Sequence, residues 1–182
     1  MTTFPIHSSE TAPEGSRPIL AATQNKFGFV PNLFRVMAEA PAAGEAYMAV
    51  MDIFESSSLS DAEKQTVLLS VSFANECDYC MAAHTAVAGM KGVPVEIVEA
   101  LRLGTTLPDT RLDALAVLTR SIVETRGRPT EAAKEAFFQA GYGTAEYLEV
   151  IVGVTVKTLS NYVNDAADTP LDTAFEARKW AA

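Results

Sequence analysis

The four residues Ser60-Asp61-Ala62-Glu63 open the run that most constrains the fold. A serine followed three residues later by a glutamate is a capping box: each side chain reaches the other's backbone N–H at the start of a helix. The predicted helix runs from Asp61 to about Asn75. Val67, Leu68, Leu69, Val71, Phe73 and Ala74 make it apolar almost all round. A helix with no polar face cannot lie on a surface, so this one is expected at the centre with other helices around it.

The flanking chain supplies those helices. Met1 to Pro18 carries Pro5, Pro13, Gly15 and Pro18 among several Ser and Thr, and reads as an extended arm (1–18) ahead of one helical domain (19–182). Ile19 to Lys26 reads as a short helix broken at Gly28 and Pro31. Leu33 to Glu39 is another, stopped by Pro41. Ala42 to Phe54 follows. After the central helix, a helix holding both cysteines is expected to end at Gly89. Pro94 to Leu103, Asp109 to about Arg126, Thr130 to Ala140 and Thr144 to about Asn164 complete the set. The last has a wide apolar surface, and the tail beyond Asp165, with Pro170, Phe175 and Trp180, reads as an irregular strap. No segment alternates as a strand does. The fold class is therefore all-α, a compact helical bundle.

With 182 residues, 48% of them hydrophobic, the chain can bury one sizeable core. The net charge of −9 argues against nucleic acid or an anionic membrane surface as partner, because both select for basic patches. The start MTTFPIHSSE has neither a basic segment nor an apolar one of signal-peptide type. The expectation is a cytoplasmic protein. No Gly-rich phosphate loop or nucleophile elbow is present, and no cofactor is called for.

Chemistry is expected at Asn75-Glu76-Cys77-Asp78-Tyr79-Cys80-Met81-Ala82-Ala83-His84, which holds both cysteines and one of the two histidines. At about 100° per residue, Cys77, Cys80 and His84 fall on one stripe of a helix, and Cys80 and His84 are neighbours one turn apart. A helix N-terminus favours thiolate over thiol, two cysteines at this spacing can form a disulfide, and the histidine can handle a proton near neutral pH. Redox chemistry is the reading this favours. Zinc is the alternative, with Cys77, Cys80 and His84 available, distant His7 left over, and a carboxylate able to complete the set. A disulfide for stability alone would close too short a loop to gain much chain entropy. The βαβ setting of thioredoxin is missing.

Cys77-x-x-Cys80-x-x-x-His84, preceded by the helix LLSVSFAN, resembles the alkyl hydroperoxidase D (AhpD)-like branch of the carboxymuconolactone decarboxylase superfamily. Gly28-Phe29-Val30-Pro31-Asn32-Leu33-Phe34, Asn161-Tyr162-Val163-Asn164 and Asp168-Thr169-Pro170-Leu171-Asp172 are similar to segments of its peroxidase-related members. The resemblance implies a compact all-helical protomer, a homo-oligomer (trimer or hexamer) and peroxide reduction, with a dithiol reductant of protein or lipoyl type. It implies that Cys80 is the peroxidatic thiol, that Cys77 resolves the sulfenic acid, and that His84 relays a proton with a glutamate on the preceding helix. That glutamate's position, twelve residues before Cys77, is Gln65 here. An amide can orient His84 but cannot exchange a proton at neutral pH. Glu63 lies on another face of the helix; Glu76, adjoining Cys77, is the carboxylate that could substitute. General thiol–disulfide exchange remains the alternative activity. The superfamily's decarboxylase and lactone chemistries do not depend on a cysteine pair.

Overall fold

The structure, a computed structural model, describes residues 3–180; the first two residues of the expected arm and the last two of the expected domain lie outside the described residues. Among the described residues there are nine α-helices, two short 3-10 helices and no strand. The α-helices are α1 (Arg17–Phe27), α2 (Asn32–Met37), α3 (Pro41–Glu55), α4 (Asp61–Ala74), α5 (Asp78–Met90), α6 (Val95–Leu103), α7 (Thr110–Glu124), α8 (Glu131–Gln139) and α9 (Thr144–Ala167). The 3-10 helices are Glu14–Ser16 and Thr173–Arg178. None of the helices is long and apolar enough to cross a membrane.

The all-round apolar helix is central. The capping box at its start is formed, with Ser60 Oγ accepting from Glu63 N and Glu63 accepting from Ser60 N. From there α4 packs on α5, α7 and α9. Its residues serve two cores. Val67, Leu68 and Val71 join Phe54, Leu115, Leu118, Phe137 and Val150, while Leu69 joins Met81, Leu101, Leu112, Ala116 and Trp180 on the other side. That double duty is why its sequence has no polar face. Where α9 crosses, Gly153 leaves no room for a side chain: a Cβ there would lie 2.7 Å from the Phe54 ring and 2.8 Å from Val67. The glycine sets how close the long helix comes to α3 and α4.

Two features position the cysteine helix. The first is the turn between α4 and α5. Glu76 takes a left-handed conformation (φ 53°), Cys77 N donates to Ser72 O and Glu76 N donates to Phe73 O. This is a Schellman motif with Glu76 in the place usually given to glycine. It reverses the chain and makes Cys77 the N-cap of α5. At the other end the helix passes through Gly89 to Met90, and Gly92 (φ 72°) closes it, three residues later than the sequence reading placed the stop.

The second feature is a clasp between distant segments. Both Asp172 carboxylate oxygens accept from Asn32 N at 3.1 Å, at the start of α2, and Asn32 Nδ2 donates to Pro170 O at 3.0 Å. Tyr79, between the two cysteines, donates its hydroxyl to Asp172 at 2.5 Å and accepts from Leu33 N at 3.3 Å. The VPNLF and TPLD stretches thus meet each other and the first turn of α5. Beyond them the strap packs down. Trp180 lies over Phe73 with ring centroids 5.9 Å apart, and its indole N–H donates to Arg102 O at 2.9 Å.

Candidate active site

Cys80 is the third residue of α5, and Cys77 caps the same helix. The backbone N–H groups and dipole of the first turn therefore bear on Cys80. Both sulfurs are free and buried, each residue 1% exposed. Cys77 stands at the cap with extended backbone, while Cys80 and His84 lie one turn apart within the helix.

Gln65 and His84 do meet. Gln65, wholly enclosed on α4, lies with Oε1 3.1 Å from His84 Nδ1. The other ring nitrogen, Nε2, faces the ammonium of Lys157 on α9 at 2.9 Å. A lysine ammonium can only donate, so Nε2 accepts and the single ring proton of neutral His84 sits on Nδ1, donated to Gln65. Burial, then the charges of Lys157 and Lys91, hold His84 well below its ordinary pKa, so the ring is neutral.

Glu76 is not brought into this cluster. It is exposed, and its side chain lines a separate cleft with Phe73, Glu99, Arg102, Leu103, Lys179 and Trp180. The left-handed turn that serves the backbone sends the carboxylate away from the sulfurs. Glu63 is also elsewhere, engaged in its cap and 3.2 Å from Arg111.

The residues that complete the cluster come from α9. Lys157, Ser160, Asn161 and Asn164 are spaced i, i+3, i+4, i+7, a polar stripe on an otherwise apolar helix, and all four are buried. Asn164 Nδ2 donates to Cys80 Sγ at 3.2 Å, and Ser160 Oγ lies 3.8 Å from the same sulfur. Asn161 accepts from Asn75 Nδ2 at 2.9 Å. The stripe was present in the sequence. A polar row of helical period inside a hydrophobic helix is the signal that finds these residues.

The two thiols differ in acidity. Burial alone would raise the Cys80 pKa. The hydrogen bond from Cys77, the charge of Lys157 and the bonds from Ser160 and Asn164 outweigh it and carry the pKa well below the ordinary thiol value. Cys77 moves the other way: its hydrogen bond to Cys80, burial and the Cys80 charge all hold its proton on. One sulfur is thus poised as thiolate beside a neutral thiol three residues away. Cys77 also meets exposed Asp165, whose pKa is raised by burial and by the Cys80 charge while the bond from Cys77 opposes them. The two sulfurs are equally buried, and Cys77 is the one hydrogen-bonded to this carboxylate.

Among the described residues no three His, Cys, Asp or Glu side chains gather as a metal site. His7, the spare ligand in the zinc reading, is 2.7 Å from Glu39 at the N-terminal end of the chain.

Residues 41–119 match the carboxymuconolactone decarboxylase family. The whole fold is similar to that of a solved alkylhydroperoxidase AhpD core, an uncharacterized peroxidase-related protein from Ralstonia eutropha JMP134. The TM-score is 0.82 at 22% identity, over 94% of this chain and 93% of that one. An uncharacterized peroxidase-related protein from Silicibacter sp. TM1040 aligns with a TM-score of 0.78 and 21% identity, over 97% and 94% of the two chains. A cysteine-to-alanine variant of the debrominase Bmp8 in complex with 2,3,4-tribromopyrrole aligns with a TM-score of 0.81 and 15% identity, over 98% and 95%. No curated protein matches the sequence.

Proposed function

We propose that this chain, whose residues 41–119 match the carboxymuconolactone decarboxylase family and whose fold is similar to that of a solved AhpD core, is a thiol-dependent peroxide reductase. The observation that carries the reading is the unequal cysteine pair: an acidified Cys80 at the start of a helix, hydrogen-bonded to a Cys77 that keeps its proton. A thiolate is the nucleophile toward peroxide oxygen, and a neighbouring thiol traps the resulting sulfenic acid as a disulfide. Cys80 is the peroxidatic thiol and Cys77 the resolving one. His84 and Gln65 order the polar side of the site. Among the described residues, Gln65 Nε2, Asn161 Nδ2 and Asn164 Oδ1 are enclosed without hydrogen-bond partners, polar capacity that suits a small oxygen-bearing substrate. The cellular setting we propose is a cytoplasmic homo-oligomer.

The test is peroxide consumption by the reduced protein with a dithiol to sustain turnover. Cys80→Ser should abolish it. Cys77→Ser should stop after one turnover with a sulfenic acid trapped on Cys80. If the unsubstituted protein leaves peroxide intact while Cys77 and Cys80 readily form a disulfide, the pair acts in thiol–disulfide exchange with a protein or lipoyl dithiol.

A further inference from the structure

We infer that Lys157 is the acid of this site: its ammonium is the counter-ion of the Cys80 thiolate and delivers the proton that the leaving oxygen needs, while His84 and Gln65 hold it in place. The inference rests on the peroxide-reduction reading for its substrate, and on geometry for the residue.

Lys157 is 1% exposed. Among the described residues no carboxylate lies within ion-pair distance of it, although Lys26 and Lys134 each have one and Lys91 has two. An ammonium enclosed without an anion is strongly unfavourable, so a partner of opposite charge is required nearby. The groups that face it are Cys80, Cys77 and His84 from α5 and Tyr47 from α3. Tyr47 is pushed up by burial and stays a neutral phenol. Cys77 keeps its proton and His84 is neutral. The Cys80 thiolate is the remaining anion.

The histidine cannot be the donor. Its Nε2 accepts from Lys157, and its Nδ1 proton points the other way, into an amide that cannot pass a proton on. The chain Lys157–His84–Gln65 ends at Gln65, so it positions the ammonium and moves no proton. This accounts for the amide at position 65. A carboxylate there would attract the ammonium across the ring and draw it from the sulfur; a neutral amide leaves the Lys157–Cys80 pair balanced.

The steps then close. The Cys80 thiolate attacks the distal peroxide oxygen, an S–O bond forms and the O–O bond breaks. The electron pair leaves on RO⁻, which takes a proton from the Lys157 ammonium. The products are the Cys80 sulfenic acid, ROH and a neutral Lys157 amine. That amine next accepts the Cys77 proton. The Cys77 sulfur attacks Cys80, hydroxide leaves, and the same proton converts it to water.

The experiment uses the full-length Cys77→Ser protein, in which Cys80 is the sole cysteine. Thiolate absorbance against pH gives its ionisation, and sulfenic acid formation with hydrogen peroxide gives the rate. Lys157→Met should move the ionisation up to the free-thiol value of about 8.5 or beyond. It should also slow the reaction of the fully ionised thiolate by about a hundredfold, the scale of a lost general acid. Lys157→Arg should restore the low ionisation but not the rate, because a guanidinium holds its proton. Circular dichroism checks that each variant folds, and Lys157→Gln is read the same way if Lys157→Met does not. An unchanged ionisation in the neutral variants would overturn the counter-ion role, and full rate in Lys157→Arg would overturn the acid role. Absence of any sulfenic acid in the Cys77→Ser protein with Lys157 intact would sink peroxide reduction and the acid role with it; the absorbance titration would still decide the counter-ion.

Discussion

Two residues that look alike in the sequence separate at the level of the side chain. Gln65 and Glu76 both stand where a carboxylate could serve His84, yet only Gln65 touches it. Glu76 holds a backbone conformation that costs a non-glycine residue about 1–2 kcal/mol. Glu76→Gly should therefore keep the proposed peroxidase activity and raise unfolding stability by up to about 1 kcal/mol in denaturant melts; a loss of activity would return Glu76 to the site. His84 makes the pH dependence legible. Its folded pKa is depressed, so below about pH 6.5 the unfolded chain takes up a proton that the folded chain refuses. Its contribution is full above that pH and declines by about 1.4 kcal/mol per unit as pH falls toward the folded pKa. Unfolding midpoints between neutral pH and pH 5 should fall less steeply in His84→Gln than in the unsubstituted protein.

At the scale of elements, α5 is held by its neighbours and not by its own first turn. The Asp172 carboxylate ties the start of α2 to Tyr79 within the cysteine pair. Asp172→Asn replaces a charged acceptor with one that can accept at a single oxygen. It should cost about 1–3 kcal/mol in thermal or denaturant unfolding and loosen amide exchange across the first turn of α5. The same contacts explain what could be read in advance. Helix starts were legible because caps act within a few residues, as at Ser60 and Asp109. The end of α5 was misplaced because two glycines lie near it and only the backbone selects Gly92, which has the positive φ. The Cys80–His84 spacing was legible because it is one helical turn. Lys157 was not, since its partner His84 is 73 residues away and a single lysine in an apolar helix reads as a solvated interruption. The α9 stripe that would have revealed it needed to be counted as a pattern. Glu76 adjoins Cys77 along the chain but not in space, because the Schellman turn directs its side chain into a separate cleft.

In the whole molecule the site is sealed between α3, α4, α5 and α9, with the strap and clasp closing the outside. The buried ammonium has a consequence for electron transfer. Lys157 stabilises the reduced site, where Cys80 is an anion, and has nothing to stabilise once the sulfurs are joined as an uncharged disulfide. The couple's reduction potential is raised accordingly, by about 30 mV for each tenfold by which the thiolate is favoured. Equilibration with glutathione buffers should find the unsubstituted disulfide easier to reduce than that of Lys157→Met; equal potentials would count against the pairing. Under the proposed peroxide reduction, the disulfide left by peroxide is then a strong oxidant of dithiols, and its re-reduction runs downhill.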